Sequence, residues 1–495
     1  MASDFERFVE KSLVVHDLME IQQLLEWDQQ VMMPRKGAEQ RGAHQAALAA
    51  VVHERLSDPA FGELLDRLEG QSLGEDPAAD LREARRAWER AVKVPSRLVS
   101  ERARAVALSQ EAWVEAKKHD DFPAFLPHLE RVLRLTRETA SLLNPDHPYD
   151  ALLEEYEPGM TEAELAAVFA DLKGRLLPLL DRILGAPSPP DASILARRYP
   201  VAAQEAFCRD LAADLGYDYE AGRLDRSAHP FTNGTFRDVR ITTRYSETFL
   251  NTAVFGTIHE TGHALYEQGL DPDRFRMPAG QACSLGIHES QSRFWENVVG
   301  RSLPFWSHYF PKLRTVFPAA LEGVEERDFY RAVNAVKPSL IRVEADEVTY
   351  NLHIILRFEL ESALLKGSLE PKDLPEAWRE GMRGLLGIEP ATDREGVLQD
   401  IHWSAGLVGY FPTYALGNLY GGQFLQALRA DLPDLDARIA AGEFASLREW
   451  LRVKIHRQGR RHLAPELCLQ VTGKPLSAAP LMAYLEAKFA DVYGL

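Results

Sequence analysis

His259 and His263 stand four residues apart, with Glu260 directly after the first histidine. On a helix, residues one turn apart share a face, with about 5–6 Å between their Cβ atoms. Two imidazoles at that separation can bind one zinc ion. Glu260 would lie about 100° round the helix axis, where it is poorly placed as a ligand but can take a proton from a water at the metal. The pattern therefore predicts metal-assisted hydrolysis.

The residues before this motif predict the helix that carries it. Ser246 can cap a helix that begins at Glu247, whose charge also suits the positive end of the helix dipole. An apolar stripe follows at helical spacing and consists of Leu250, Val254, Ile258 and Leu265. We therefore expect an amphipathic helix that runs through both histidines.

A catalytic zinc ion usually takes three protein ligands and keeps one position for water. Glu289 is the best candidate for the third ligand, because a carboxylate from a following helix completes a set of two histidines and one glutamate. A third histidine six residues after the motif is excluded, since that position is Gly269. Glu267 is only one turn beyond His263 and ranks below Glu289. On a helix, His288 would point about 100° away from Glu289.

The residue four positions after the predicted ligand glutamate departs from a common pattern. Many such helices carry an acidic residue there, which supports a zinc-bound histidine. In this chain the position is Arg293. Support must then come from a more distant carboxylate, and Asp346 is our first candidate, with an ordinary surface charge as the alternative interpretation.

Residues 238–245 break the helical pattern, because β-branched and aromatic residues alternate there with polar ones. This period of two predicts a strand. Asn233 and Gly234 lie just upstream and would make a tight turn, so we expect a hairpin. A small sheet beside the metal helix could offer an edge to an extended peptide. The alternative is a hairpin with a structural role only.

Elsewhere the sequence is dominated by helical signals. Residues 5–25 repeat apolar side chains near the 3.6-residue period, and residues 37–55 and 81–116 are rich in helix-forming Ala, Glu, Arg and Leu. We find no internal repeat and no clear linker. The prediction is a mostly α fold, with residues 1–495 forming a single helical domain that can have two lobes flanking a groove.

Composition excludes several classes of protein. With 495 residues, 45% of them hydrophobic, and a net charge of −17, the chain is expected to be globular and is a poor candidate for binding nucleic acid. We find no apolar stretch of membrane-spanning length and no signal peptide at the N-terminus. Three widely spaced cysteines fit a reducing compartment. We therefore expect a cytoplasmic protein without nucleic-acid or membrane partners.

Several motifs in this order resemble the thermostable carboxypeptidase Taq family of zinc carboxypeptidases. They are His229-Pro230-Phe231, Asp238-Val239-Arg240-Ile241-Thr242-Thr243, His259-Glu260-Thr261-Gly262-His263, His288-Glu289-Ser290-Gln291, Ile341-Arg342-Val343-Glu344-Ala345-Asp346 and Gly396-Val397-Leu398-Gln399-Asp400-Ile401-His402-Trp403. Trp27-Asp28-Gln29-Gln30 followed by Met33-Pro34 also resembles the start of the family. The match runs from about residue 20 past residue 400.

This resemblance implies a large helical body with a deep active-site groove, similar to neurolysin and the angiotensin-converting enzymes. It implies removal of single residues from peptide C-termini with broad specificity, and a homodimer. It also supports Glu289 as the third ligand of the zinc ion. A site of this ligand type can accept cobalt as well.

Peptide hydrolysis needs a donor for the oxyanion of the tetrahedral intermediate. By analogy with related helical zinc peptidases, which use a histidine and a tyrosine at similar separation, we assign this role to Tyr410, eight residues after His402. Tyr414 is the competitor, and a packing role is the alternative for either tyrosine. His402 could bind substrate carbonyls or assist the oxyanion, and Trp403 is expected to pack in the groove wall.

The terminal carboxylate of a substrate calls for a cation, ideally the fork of an arginine. Arg342 is the first choice because it belongs to a motif and stands four residues before Asp346. Arg240 is the second choice and Arg244 the third. His229 and the strand after it are expected to close one end of the groove, which would favour exopeptidase cleavage.

Two other functions remain open at this point. An endo-acting oligopeptidase of the same helical type would share the metal chemistry but would need no clamp for a carboxylate. A helical scaffold that binds peptides without cutting them would need no base, and the intact Glu260 argues against it.

Overall fold

The structure is a computed structural model that describes residues 3–495. Helices make up most of it, and the strands form one three-stranded sheet, as predicted. The chain divides into two compact units. The first contains residues 3–92, 191–333 and 423–475, and the second contains residues 93–190, 334–422 and 476–495.

The first unit holds the sheet and the predicted metal helix. Its helices are α1 (Asp4–Val31), α2 (Ala38–Leu56), α3 (Pro59–Glu69), α4 (Glu75–Lys93), α9 (Val201–Leu215), α10 (Leu250–Gln268), α11 (Leu285–Arg293), α12 (Leu303–Val316), α13 (Glu326–Val333), α17 (Leu435–Ala441), α18 (Ala445–Lys454) and α19 (Ala464–Thr472). The last residue of α4 is counted with the second unit.

The second unit is wholly helical in its regular structure. Its helices are α5 (Ser96–His119), α6 (Phe122–Leu143), α7 (Pro148–Tyr156), α8 (Glu162–Leu184), α14 (Thr349–Lys366), α15 (Leu374–Leu386) and α20 (Ala479–Tyr493), and α16 (Pro412–Asp431) has residues in both units. Residues 81–116, which the sequence marks as helical, are divided between α4 and α5, because Pro95 is tolerated only at the start of a helix.

Capping and amphipathic packing explain individual helices of the second unit. The Thr161 hydroxyl accepts the backbone N–H of Glu164, and the Glu164 carboxylate accepts the backbone N–H of Thr161, which together form a capping box at the start of α8. Buried apolar side chains then recur at helical spacing in Leu165, Phe169, Leu172, Leu176 and Ile183. This helix is therefore fixed at its start by polar bonds and along its length by burial.

The sheet lies in the first unit and has the order β1-β3-β2. Its strands are β1 (Gly222–Arg226), β2 (Thr232–Asn233) and β3 (Val239–Thr243). The predicted hairpin is present, because β2 pairs antiparallel with β3 and is joined to it by residues 234–238. The parallel partner β1 was not predicted. Val239 and Ile241 form a buried cluster with side chains of the preceding and following helices, which holds the sheet against α10.

The metal helix α10 begins at Leu250, three residues later than the sequence suggests. Ser246 does not cap it, since the Ser246 hydroxyl accepts the backbone N–H of Thr248 in the turn before the helix. The prediction of the start was wrong because a local turn competes with the helix for that hydroxyl. All four residues of the predicted apolar stripe are buried.

A close helix crossing fixes the positions of α10 and α11. Gly262 stands at the contact, where an added Cβ would lie 2.7 Å from both the Gln291 carbonyl oxygen and the Ser292 Cα. Only a residue without a side chain allows the two backbones to come so near. The Ser284 hydroxyl caps α11 by accepting the N–H of Ile287.

A π-helical segment, Phe294–Val299, follows α11 without a break and carries Glu296 towards the metal helix. Such segments are rare and often occur at functional sites.

Two further findings concern the whole described chain. No helix within residues 3–495 has the length and apolar character needed to cross a bilayer. All three cysteines are buried and unpaired with one another.

Candidate active site

The structure brings together His259 and His263 of α10 with Glu289 of α11. One ligand atom from each of the three side chains lies within 4.8 Å of the other two. Glu289 Oε2 is 3.3 Å from His263 Nε2 and 3.7 Å from His259 Nε2. The Gly262 crossing makes this convergence possible, because it places the carboxylate one side-chain length from the imidazoles.

Glu296 supports the first of the two histidines. Its Oε2 atom lies 2.9 Å from Nδ1 of His259. A carboxylate on that nitrogen holds the proton there and leaves the Nε2 lone pair for a metal. The prediction that Asp346 provides this support was wrong. The Asp346 carboxylate instead accepts the backbone N–H and the hydroxyl of Thr349 at the start of α14.

The second histidine is supported by a chain of polar side chains. Nδ1 of His263 lies 2.5 Å from Nδ1 of His288, and Nε2 of His288 lies 2.8 Å from Glu267. If Nε2 of His263 is to bind a metal, Nδ1 of His263 must donate, and His288 then accepts on Nδ1 and donates from Nε2. Glu267 also accepts the Thr235 hydroxyl. His288 and Glu267, which the sequence ranks below Glu289 as ligands, therefore act behind His263.

This donor set fits a zinc ion. Two imidazole nitrogens and one carboxylate oxygen are the ligands of many catalytic zinc sites, with a further position for water. The His259 and His263 side chains are 19% and 16% exposed, so the site is accessible to solvent. Burial lowers the pKa of His263 to about 3, which keeps this ligand neutral near pH 7.

Charged neighbours control the ionisation of the other ligands. Burial alone would lower the pKa of His259, but the carboxylates of Glu289 and Glu296 raise it above its ordinary value. Burial would raise the pKa of Glu289, but the Arg293 guanidinium and the ligand histidines bring it well below the ordinary range. Glu289 is therefore an anion, which is the form in which a carboxylate binds a metal.

Glu260 is buried beside the ligands and belongs to a separate interaction. Its Oε2 atom accepts the hydroxyl of Thr232 at 2.7 Å. Thr232 lies on β2, so the small sheet fixes the side chain of this glutamate. Burial raises the pKa of Glu260, which brings it closer to the working pH of a general base.

Arg342 lies in the second unit and is 5% exposed. Its Nε and Nη2 atoms donate to Asp400 Oδ1 at 3.0 and 2.8 Å, and its Nη1 donates to the Tyr350 hydroxyl at 2.9 Å. Arg357 donates to the other Asp400 oxygen at 2.7 Å. These two guanidiniums and one carboxylate together carry one surplus positive charge, and both arginines keep the pKa of Asp400 far below its ordinary value despite burial.

His402, Tyr410 and Tyr414 also lie together in the second unit. The ring of His402 is 5.4 Å from that of Tyr410 and 6.0 Å from that of Tyr414. Nε2 of His402 is 3.2 Å from the Tyr414 hydroxyl. Burial lowers the pKa of His402 to about 3, so this histidine is neutral near pH 7. Both tyrosines are half-buried.

A buried carboxylate holds the segment that carries His402 and Tyr410. Glu361 accepts the indole N–H of Trp403 at 2.8 Å, the backbone N–H of Gly409 at 3.1 Å and the hydroxyl of Tyr149 at 3.0 Å. Burial raises the pKa of Glu361 to about 7. Trp403 is buried, as the sequence suggests for a packing residue.

The remaining predicted substrate-binding residues lie in the first unit. Arg240 donates from Nε and Nη2 to the Asp238 carboxylate at 2.7 and 2.8 Å, and its guanidinium stacks 4.3 Å from the Trp27 ring centre. His229 is exposed, and so is Arg244. Within residues 3–495, no hydrogen bond or ion pair joins any of these three residues to His259, His263 or Glu289.

Sequence reasoning missed the residues that surround the ligands. Glu296 had a usable signal, because a residue seven positions after Glu289 falls on the same helix face two turns later. The roles of Thr232, His288 and Glu361 depend on contacts between elements distant in sequence. No spacing rule identifies such contacts.

Known proteins resemble this chain over almost its whole length. The family model described as carboxypeptidase Taq (M32) metallopeptidase matches residues 7–489. The chain is 53% identical over 486 residues to thermostable carboxypeptidase 1 of Thermus thermophilus, and 95% of each chain is covered. It is 39% identical over 474 residues to carboxypeptidase 1 of Bacillus subtilis, again with 95% of each covered.

Solved structures give the same result. The M32 carboxypeptidase of Deinococcus radiodurans R1 is similar with a TM-score of 0.97 and 40% identity, covering 100% of both chains. A carboxypeptidase of Pyrococcus furiosus is similar with a TM-score of 0.95 and 37% identity, covering 99% of both. The predicted helical metallocarboxypeptidase is thereby confirmed. The chain belongs to the carboxypeptidase Taq (M32) family of metallopeptidases.

Proposed function

We propose that this metallocarboxypeptidase uses zinc to release single residues from the free C-termini of peptides with broad specificity. The observation that carries the proposal is the convergence of His259, His263 and Glu289 on one solvent-accessible point. The same three ligands can accept cobalt. The three cysteines form no disulfide within the described residues, which fits a reducing cytoplasm, and cell fractionation would test this location.

The residues around the ligands divide the work of hydrolysis. His259, His263 and Glu289 would hold the zinc ion, which would supply Lewis-acid polarisation of the scissile carbonyl and of the attacking water. Glu260 accepts the proton of the attacking water and later delivers one to the leaving amine. The Thr232 hydroxyl occupies one carboxylate oxygen of Glu260, which leaves the other oxygen for the proton.

Tyr410 is the proposed donor to the oxyanion, and His402 the proposed partner of the substrate carbonyl. The Tyr414 hydroxyl lies 3.2 Å from Nε2 of His402, whereas the choice of Tyr410 is supported by its eight-residue separation from His402. Because His402 is neutral, it offers one N–H donor and no charge. A neutral donor suits a carbonyl oxygen that becomes negative only in the transition state.

Arg342 is the proposed clamp for the terminal carboxylate. The surplus positive charge of the cluster with Asp400 and Arg357 supports this role, since a buried excess cation is stabilised by a further anion. Arg240 remains the second candidate for the carboxylate and Arg244 the third, and His229 remains a candidate for substrate binding. Arg240 is a weaker candidate than Arg342, because Asp238 balances its charge.

A comparison of a free-ended peptide with its C-terminally amidated twin tests the proposed carboxypeptidase function. We expect the free-ended peptide to lose its last residue on the order of 10–100 times faster than its C-terminally amidated twin, because amidation removes a charge-assisted hydrogen bond. Mass spectrometry of the product ladder measures both rates. Equal rates would support the endo-acting oligopeptidase instead, and no cleavage of either peptide would support the binding scaffold.

Glu260→Gln tests the general base. The amide keeps the size of the side chain and a partner for Thr232 but cannot accept a proton, so turnover should fall by roughly 10²–10⁴-fold. Metal analysis of the purified variant should show the zinc content of the unchanged protein. Activity that survives the substitution contradicts the proposed mechanism.

Tyr410→Phe tests the oxyanion donor, with Tyr414→Phe as its matched control. Loss of the Tyr410 hydroxyl should lower kcat by about 10²–10³-fold with little change in KM. Loss of the Tyr414 hydroxyl should have a smaller effect, because this hydroxyl contacts His402 and is not the proposed oxyanion donor. A larger loss of kcat in the Tyr414 variant would exchange the two roles.

We also propose a homodimer, which the family resemblance implies. Large apolar side chains are exposed on α1 at Val14, Ile21 and Leu24, which supports an interaction surface there. Sedimentation equilibrium should give twice the 55.7 kDa of one chain. Ile21→Glu should shift the mass towards one chain, while Leu469→Glu, at another exposed apolar position, should not. A monomer in the unchanged protein rules out the proposal.

A further inference from the structure

Arg293 directly contacts the third metal ligand. Its Nε atom donates to Glu289 Oε1 at 2.7 Å, one helical turn away. Both side chains are largely buried, so solvent screens their interaction weakly. Where many helical zinc sites have an acidic residue, this chain therefore places a cation on its ligand carboxylate.

The two oxygens of Glu289 have different surroundings. Oε2 faces both ligand histidines and accepts the Ser292 hydroxyl at 3.0 Å. Oε1 accepts the Nε–H of Arg293. The guanidinium therefore occupies one oxygen of the carboxylate, and Oε2 is the oxygen that faces the histidines.

Arg293 also balances the charge behind the site. Its Nη1 atom is 3.3 Å from Glu296 Oε2, the oxygen that also contacts Nδ1 of His259. Arg301 lies 3.2 Å from the other Glu296 oxygen. The carboxylates of Glu289 and Glu296 are thus balanced by the guanidiniums of Arg293 and Arg301. Removing the Arg293 charge would leave one excess negative charge in this group of four side chains.

We propose that Arg293 is a positioning residue that holds Glu289 as a one-oxygen ligand and reduces the electron donation of this carboxylate to the metal. A carboxylate partner strengthens a metal ligand, and a cationic partner has the opposite effect, since it competes with the metal for the same negative charge. The protein then binds its metal less tightly, and the bound metal is the stronger Lewis acid. The effect on catalysis rests on the proposed function, whereas the effect on metal affinity requires only that His259, His263 and Glu289 hold a metal ion.

The experiment compares the zinc affinity of metal-free Arg293→Gln, Arg293→Lys and Glu296→Gln by competition with a chelating indicator. Arg293→Gln should bind zinc on the order of 10 times more tightly than the unchanged protein, and Arg293→Lys should stay within about threefold of it, because charge is the operative property. Glu296→Gln should bind zinc about 10–100 times more weakly. The zinc-loaded Arg293→Gln protein should hydrolyse peptides about 10 times more slowly.

A second readout follows the geometry of the site. The visible spectrum of the cobalt-loaded protein should change in Arg293→Gln, because Glu289 becomes free to give both oxygens to the metal. The cobalt-loaded Arg293→Lys protein should have the same spectrum as the unchanged protein. Weaker zinc binding in both Arg293 variants would mean that the guanidinium only maintains geometry, and the proposal would be wrong. An unchanged cobalt spectrum in Arg293→Gln would contradict the one-oxygen ligand.

Arg301→Gln provides a further variant of the same charge balance. It removes the outer cation on Glu296 and should tighten zinc binding to a smaller degree than Arg293→Gln, which keeps the test available if the latter variant folds poorly. Failure of the proposed function would look different. The unchanged protein would then not release C-terminal residues, while the order of zinc affinities among the variants would still decide the role of Arg293.

Discussion

The crossing of α10 and α11 at Gly262 sets the geometry of the metal site. Because a methyl group at this position would stand 2.7 Å from the backbone of α11, the two helices can be this near only with glycine there. The short distance lets the Glu289 carboxylate reach the two imidazoles. All three ligands then sit on rigid helices rather than on loops, which limits the cost of ordering them when a metal binds.

The short distance between the two helices also brings like charges together, and the charges of the surrounding residues balance them. Bringing the helices together buries Glu289 and Glu296 near each other, and two buried carboxylates repel. Arg293 bridges them, Arg301 binds the outer one, and His259 lies against both. Buried charges are tolerated when each has a partner. The ligand set is thereby arranged by the protein's own charges.

The grouping of His259, His263 and Glu289 was accessible to sequence reasoning, but much of what surrounds these side chains was not. The spacing of His259 and His263 fixes a shared helix face, and the alternation around Val239 indicates a strand, because both depend on local periodicity. Asp346 was the wrong choice of support, since its carboxylate is used at the start of α14. Thr232 meets Glu260 across 28 positions. A contact of that kind depends on tertiary topology, which a single sequence does not encode in any spacing.

The role of Glu361 in the second unit also depends on tertiary contacts. Its buried carboxylate fixes a segment of irregular backbone, and burying that charge is unfavourable. Residues 401–411 contain no helix or strand, so their backbone has no regular ladder to fix it. Glu361 binds the residue after His402 and the residue before Tyr410. Burying this carboxylate is unfavourable, as the rise of its pKa to about 7 indicates, and its three hydrogen bonds offset that cost. An apolar side chain would be cheaper to bury but would leave the Gly409 N–H without its acceptor. The carboxylate therefore makes sense as the anchor of a segment whose two polar side chains must keep fixed positions.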